Sequence, residues 1–503
     1  MLITSSWKID LIILFVVSIF MLYKYSTRKF NYWKKRGVYH PKPIPFLGNI
    51  ADVTFFRTNI GEWLKKIYDS TDEPFFGIFV FDEPHLIIKS PELIKQIMVK
   101  DFHNFNDRTV AQPEHNKMIQ NLMFFQRNPE WKEARSKITP VFTSGKLKSM
   151  FTLIEPIGAN LLSYLEKNEG ELESKEVCAK FATDVIAKCF FGINAHCFDD
   201  DEAMFRKLGR TVFDFSWRNG IVQTAYFFRQ KWVDTFKLDF VEKWVFDYFH
   251  EAFSKTMRAR QESGAKNNDL VDILNAMKKN SEFGSDMADL ETEKLVGPAI
   301  QFFMAGFETT SSTISFTLYE LCLNKNIQNK LRTEVLSNIK KHGGVTYEGL
   351  LEMKYMDLCV KEILRMYPVL PFLDRTCKED YQLPGTNLVI EKGMPVFISM
   401  FGMHQDEKYF PDPKKFDPDR FQNKNYNSEG FVYFPFGEGP RACIGERFGL
   451  MSTKAALAYI IEKYEVEKCA TTPTPVVFAP KSLVLQSTVG LPMRFKRIIP
   501  TPA

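Results

Sequence analysis

Residues 436–445 read Phe-Gly-Glu-Gly-Pro-Arg-Ala-Cys-Ile-Gly, and no other stretch limits so strongly what this chain can fold into. An aromatic run, Phe431-Val432-Tyr433-Phe434, comes before it. Two glycines and a proline then exclude regular structure and permit a tight turn. After Cys443 the pattern becomes helical: Ile444, Phe448, Met451, Ala455, Leu457, Ile460 and Ile461 recur at that spacing up to Tyr464. The spacing predicts a loop that delivers Cys443 to the start of a helix. There, free N–H groups and the positive end of the helix dipole favour thiolate over thiol. Arg441 adds a fixed positive charge two residues away.

A thiolate placed in this way suits a nucleophile, a redox switch or a metal ligand. Gly437, Gly439, Ala442 and Gly445 leave room for a flat, bulky group against the backbone, which favours ligation. A haem needs that room, and cysteine thiolate is an axial ligand that promotes O–O cleavage. The stretch fits Phe-x-x-Gly-x-Arg-x-Cys-x-Gly at every fixed position, through Phe436, Gly439, Arg441, Cys443 and Gly445. That pattern is the haem-binding signature of the cytochrome P-450 superfamily, and the chain resembles a member. Gly437-x-Gly439-x-x-Ala442 also fits a dinucleotide-binding fingerprint, but Pro440, the late helix start and the lack of βαβ alternation fit that reading poorly.

The length of 503 residues alone would suggest about three domains. No low-complexity linker or repeat divides the chain after residue 48, so residues 49–503 read as one large domain. The resemblance implies a fold that is mainly α with a smaller β region and encloses haem b. A net charge of +5 argues against a dedicated nucleic-acid binder. The eight cysteines form no Cys-x-x-Cys pair and suggest neither zinc nor a disulfide framework. A reduced, cytosol-facing domain fits that usage.

Residues 1–25 read as a membrane anchor and 26–48 as a basic, proline-rich linker. Leu11 to Tyr23 is apolar except for Ser18, and with Met1 to Trp7 it is long enough to span a bilayer, despite Lys8 and Asp10. Met21-Leu22-Tyr23-Lys24-Tyr25 offers no small-residue cleavage site, which argues against a removed signal. Lys24, Arg28, Lys29, Lys34, Lys35 and Arg36 place the following side in the cytosol. The expected location is the endoplasmic reticulum membrane, with the catalytic domain cytosolic; the ending Pro500-Thr501-Pro502-Ala503 carries no retention signal. Alternate prolines from Pro41 to Pro45 predict a stiff spacer. Phe75 to Lys89 alternates as a hairpin around Asp82-Glu83-Pro84.

Helices dominate after Pro129. Trp131 and Arg135 share one helical face. The resemblance implies that both contact a haem propionate, with Arg108, Arg375 and Arg441, since guanidinium forks pair carboxylates bidentately. The run Lys137 to Lys148 is similar to the large arthropod microsomal group, which metabolises xenobiotics and hormones. The aromatic segment Arg206 to Leu238 would roof the pocket and touch the membrane. Substrate-pocket candidates are Phe105, Phe302, Ala305, Phe372 and Leu485, the last in a final hairpin, Lys481 to Gly490.

Leu295 to Leu323 predicts a long apolar helix containing Ala305-Gly306-Phe307-Glu308-Thr309-Thr310. A glycine followed by two β-branched residues is a weak spot, and threonine hydroxyls that bond a carbonyl one turn back bend a helix. Glu308 beside Thr309 offers an acid next to an alcohol, as proton delivery to reduced dioxygen requires. This too matches the family motif and marks both as catalytic. Glu362-x-x-Arg365 and Asp417-Pro418-Asp419-Arg420-Phe421 imply by resemblance an ion-pair triad, Glu362, Arg365 and Arg420, behind the cysteine loop; Asp419 stands where glutamate is commoner.

The function implied is that of a haem-thiolate monooxygenase acting on a lipophilic small molecule: a xenobiotic, plant toxin, insecticide or endogenous hormone or lipid. No flavin or NADPH segment is present, so electrons would come from a separate NADPH-cytochrome P-450 reductase, with cytochrome b5 as a second donor. Two rivals are a haem-thiolate isomerase or dehydratase of peroxides, and a non-enzymatic, membrane-anchored haem-binding protein. Glu308-Thr309 argues against both.

Overall fold

The apolar run near the N-terminus forms the helix Trp7–Thr27, which ends two residues beyond the expected anchor. In this computed structural model residues 6–267, 269–279, 288–424, 426 and 430–498 are described, without the side chains of 276–279 and 288–295. Residues 1–5 of the expected anchor and the ending Pro500 to Ala503 lie outside the described residues. Only Ser26 of the helix is buried, and its best 18-residue window has a mean hydropathy of 1.9. Among the described residues this is the one helix long and apolar enough to cross a membrane.

The expected linker, residues 26–48, is a packed segment instead. Trp33 is 1% exposed, and its Nε1 donates to the Ile78 carbonyl at 3.0 Å. Gly77 makes the slot: a Cβ there would lie 2.3 Å from the Trp33 ring. Arg28 pairs with Asp82 at 3.2 Å. The prolines turn the chain back, so that Ile44 pairs with Gly48, and Gly48 with Val80. A boundary at residue 48 therefore falls inside packed structure.

The strands Phe75–Val80 and Glu83–Ile88 form the hairpin, with Val80 opposite Glu83. Its turn is Phe81-Asp82, one residue earlier than expected, and Pro84 lies within the second strand. The proline is tolerated because the parallel neighbour, Pro395–Ser399, engages only Leu86 to Ile88. Phe372–Thr376 completes this four-stranded sheet on the far side of Pro395–Ser399. A second sheet joins Gly170–Glu173, Pro492–Arg497 and Tyr464–Lys468. The expected last hairpin is a loop closed by a single bridge, Phe478 to Ser487.

The rest is helical, built around Ala288–Leu323, which starts seven residues before the expected Leu295. Apolar on most sides, it runs through the larger of two cores. Thr309 Oγ1 donates to the Ala305 carbonyl at 2.6 Å, Thr313 to Thr309 at 2.9 Å and Thr317 to Thr313 at 2.7 Å. Despite this back-bonding, the helix is continuous, and the expected weak spot does not break it. Gly306 has a packing role: a Cβ there would sit 2.6 Å from Ile186 of the helix Ser174–Ile186. The smaller core, with Trp33, Phe79 and Leu86, lies on the four-stranded sheet.

Candidate active site

The cysteine loop is a set of nested turns. The N–H of Gly437 donates to Phe434, that of Ala442 to Gly439 and that of Cys443 to Phe436, at 2.8, 3.0 and 2.8 Å. Gly437 and Gly439 have φ of +72° and +73°, where a side chain is strained. Gly439 also allows close approach, since a Cβ would lie 2.1 Å from the Met98 carbonyl. The next helix, Glu446–Lys463, starts three residues after Cys443, with Gly445 as its cap. Cys443 thus precedes the helix rather than opening it. Burial raises the Cys443 thiol above its ordinary range and Glu446 adds to this, against the Gly445 N–H, Arg135 and Arg108. The local field alone does not make a thiolate; a bound cation would.

Cys443 is exposed although it lies deep in the protein, so its side chain faces an internal space. The long helix also has an accessible face. Between Val296 and Leu321, Pro298, Gln301, Ala305, Gly306 and Thr309 are accessible, and every other residue is buried. Positions 298, 301, 305 and 309 share one side of a helix.

Four buried or part-buried guanidiniums gather beside the loop. Arg135 Nη1 donates to the Ala442 carbonyl at 2.8 Å. Arg441 turns away from Cys443: it pairs with Asp107 at 3.2 Å, donates to the carbonyls of Asn106 and Gln126, and stacks 4.3 Å over Trp131. Arg108 pairs with Asp374 at 3.3 Å. Arg375 donates to the Asp374 carbonyl at 2.7 Å, and its buried Nε has no partner among the described residues. Burial first, and then the charge of Arg108, push Arg375 and Arg441 down to about 9. Asp107 and Asp374 do not balance four cations. An orphaned guanidinium N–H and mutual repulsion show a cradle short of anions, which fits the two propionates of a haem beside Cys443.

Glu308 departs from expectation. Its carboxylate does not face the Thr309 hydroxyl; Oε1 pairs with Lys175 Nζ at 2.8 Å and accepts from Ser312 at 3.2 Å. Lys175 also donates to Ser311 and Ser312. Burial lowers the Lys175 pKa, against the pull of Glu308. Consecutive helix residues point about 100° apart, which separates acid from alcohol. No sequence spacing signals a lysine so far away in the chain, and none singles out Gln301.

Glu362, Arg365 and Arg420 come together. Arg365 meets both Glu362 oxygens at 2.8 Å, and Arg420 Nε meets Oε1 at 2.9 Å. Arg365 also donates to the carbonyls of His404 and Pro413. Four pocket candidates are instead sealed into packing. Phe105 meets Tyr381, with ring centres 5.0 Å apart, and Phe302 meets Phe190 at 4.8 Å. Phe372 lies among Phe227, Phe228 and Phe397, and Leu485 is fully buried. Large apolar side chains fill the gaps between elements, and only the small Ala305 stays on the accessible face.

These residues would suit a haem with a cysteine thiolate on its iron. Known proteins narrow the class. A family model described as Cytochrome P450 matches residues 39–491. Cytochrome P450 6k1 of Blattella germanica is 37% identical over 98% of both chains. Cytochrome P450 6j1 of the same species is 40% identical, over 95% of this chain and 97% of its own. Probable cytochrome P450 6g2 of Drosophila melanogaster is 36% identical, over 93% and 95%. The chain belongs to the cytochrome P450 family and is a monooxygenase with haem iron as its cofactor, similar to members of the insect group.

Proposed function

We propose that the enzyme inserts one oxygen atom from O2 into a lipophilic xenobiotic or endogenous lipid or hormone. Electrons would pass from NADPH through a separate NADPH-cytochrome P-450 reductase, with cytochrome b5 as a second donor. Two observations carry this reading: an otherwise buried helix has one accessible face, with Ala305 and Thr309 on it, and Cys443 is exposed although it lies deep in the protein. Haem b would be held by the Cys443 sulfur and, at its propionates, by Arg108, Arg135, Arg375 and Arg441, with Trp131 stacked against Arg441; bound there it would supply O2 activation.

The side chains do the rest. The Thr309 proton is committed to the Ala305 carbonyl, so the oxygen lone pairs face inward and accept from a water or substrate donor. Apolar packing excludes bulk water. Glu308 and Lys175 form the proton store behind Thr309, and a cleft of about 330 Å³, lined by Glu173, Lys175, Glu176 and Ser312, opens beside them to the surface. A side-chain rotation of Glu308 would carry a proton from Lys175 toward Thr309. This arrangement favours oxygen insertion over peroxide rearrangement or passive haem binding, neither of which needs protons here.

The reduced carbon-monoxide difference spectrum tests the ligand. Wild type gives the thiolate band and Cys443→Ala loses it; a variant that keeps the band refutes Cys443. We also infer that Trp7–Thr27 holds the chain in the endoplasmic reticulum membrane with the catalytic domain cytosolic. Release by alkaline carbonate would refute the anchor.

A further inference from the structure

Gln301 stands on the accessible face one turn before Ala305 and two turns before Thr309. Any role for it in ligand binding rests on the proposed reading that this face borders the substrate cavity. Gln301 Oε1 accepts the backbone N–H of Phe124 at 2.9 Å. A backbone N–H only donates, so the amide oxygen must be the atom that faces it, and the side chain has one orientation. The amide nitrogen is left over. It makes no hydrogen bond among the described residues, and it is not sealed in the core.

The surroundings sharpen the point. Pro298, Ala305 and Gly306, the accessible neighbours, carry no polar side chain. Thr309 has spent its proton on a carbonyl. The segment carrying Phe124 lies close on the helix: a Cβ at Gly297, one turn before Gln301, would be 3.2 Å from the Asn121 carbonyl. The Phe124 ring is held by Arg108, 4.4 Å away, and by Phe125, at 5.2 Å. Gln301 is thus a pinned amide at a seam, offering two N–H donors to a largely apolar wall.

We propose that Gln301 is a specificity-determining residue, whose side-chain NH2 donates a hydrogen bond to a ketone, ester or ether oxygen on an otherwise lipophilic substrate. A pure hydrocarbon would leave these donors unpaired, which a buried site penalises. Gln301 precedes Thr309 by eight residues, about 12 Å along the helix axis. The acceptor oxygen is therefore held at the end of the substrate away from the oxidised carbon.

The test uses matched ligand pairs that differ by one carbonyl: fluorene and 9-fluorenone, diphenylmethane and benzophenone, bibenzyl and deoxybenzoin. Equilibrium dialysis gives each Kd with wild-type holoenzyme, Gln301→Leu and Gln301→Glu. The glutamate variant keeps an oxygen for the Phe124 N–H, so loss of the donor is separated from loss of the pin. Haem content and the reduced carbon-monoxide band confirm that the variants are folded. The ketone-over-hydrocarbon preference should fall roughly three- to tenfold in both variants, through weaker ketone binding. An unchanged preference in every pair overturns the assignment of Gln301 and leaves the monooxygenase reading intact. A wild type that shows the thiolate band but binds no member of any pair overturns the cavity reading, and this inference with it.

Discussion

Glu362→Gln would neutralise the centre of the buried ion-pair network. Glu362 Oε1 accepts from Arg365 Nη2, Arg420 Nε and the Asp417 N–H, and Oε2 accepts from Arg365 Nε. A glutamine keeps one oxygen for the three-donor corner, but then sets an NH2 against the Arg365 Nε–H. Both Glu362 and Arg365 are 0% exposed, so neither water nor salt compensates. Breaking a buried pair of this kind costs about 3–5 kcal/mol. The same region supplies its own control: the Lys330–Asp419 pair, at 2.8 Å, has side chains 53% and 49% exposed. Asp419→Asn should cost less than about 1 kcal/mol. Urea titration of the holoenzyme, followed by haem release and far-ultraviolet circular dichroism, reads both variants against wild type. The glutamine variant should lose haem at distinctly lower urea, and the asparagine variant should overlay wild type. Equal midpoints for the two would refute the reasoning, because burial would then not decide what an ion pair is worth here.

Thr309→Ala should leave haem content and ligand-induced spectral shifts intact. Product per NADPH should fall, by about 10²-fold or less, with hydrogen peroxide rising in its place; unchanged coupling would leave Thr309 a purely structural residue. Glu320 is pushed up from 4.5 to about 7, by burial first, with the Tyr367 hydroxyl 2.5 Å from Oε1. The folded state therefore holds an extra proton between these values, and stability falls as pH rises through that window, by about 3 kcal/mol in all. Glu320→Gln should flatten the dependence between pH 4.5 and 7, as read by thermal unfolding; an unaltered slope would locate the titration elsewhere.

Much of the framework is legible because local chemistry announces itself. A glycine-proline loop with one cysteine, a lone apolar run trailed by basic residues and the paired Glu-x-x-Arg and Pro-x-Arg-Phe stretches each fix a short segment. What fails to show depends on side chains far apart in the chain. Glu308 and Thr309 are neighbours in sequence, yet a helix turns them apart, and Lys175 claims the acid from another helix. Gly306 resembles a weak point because propensity describes an isolated helix; in the fold it is where Ile186 packs. Phe105, Phe302 and Phe372 are pocket candidates in the sequence, but a sequence does not say which way a ring points. Trp33 reads as linker since the basic residues around it suggest solvent, and nothing local reveals the slot over Gly77.

That slot bears on where the chain tolerates shortening. Removing the apolar helix by starting after Thr27 would keep Trp33 and its bond to Ile78. Starting at residue 39, where the family match begins, would uncover the groove beside Gly77 and leave the Ile78 carbonyl without its donor. The first protein should be monodisperse once its exposed apolar helix is gone. The second would expose an apolar trench along a strand that already sits at the edge of its sheet, an invitation to self-association. The working edge of the folded body is thus set by one indole, several residues ahead of the recognised family boundary.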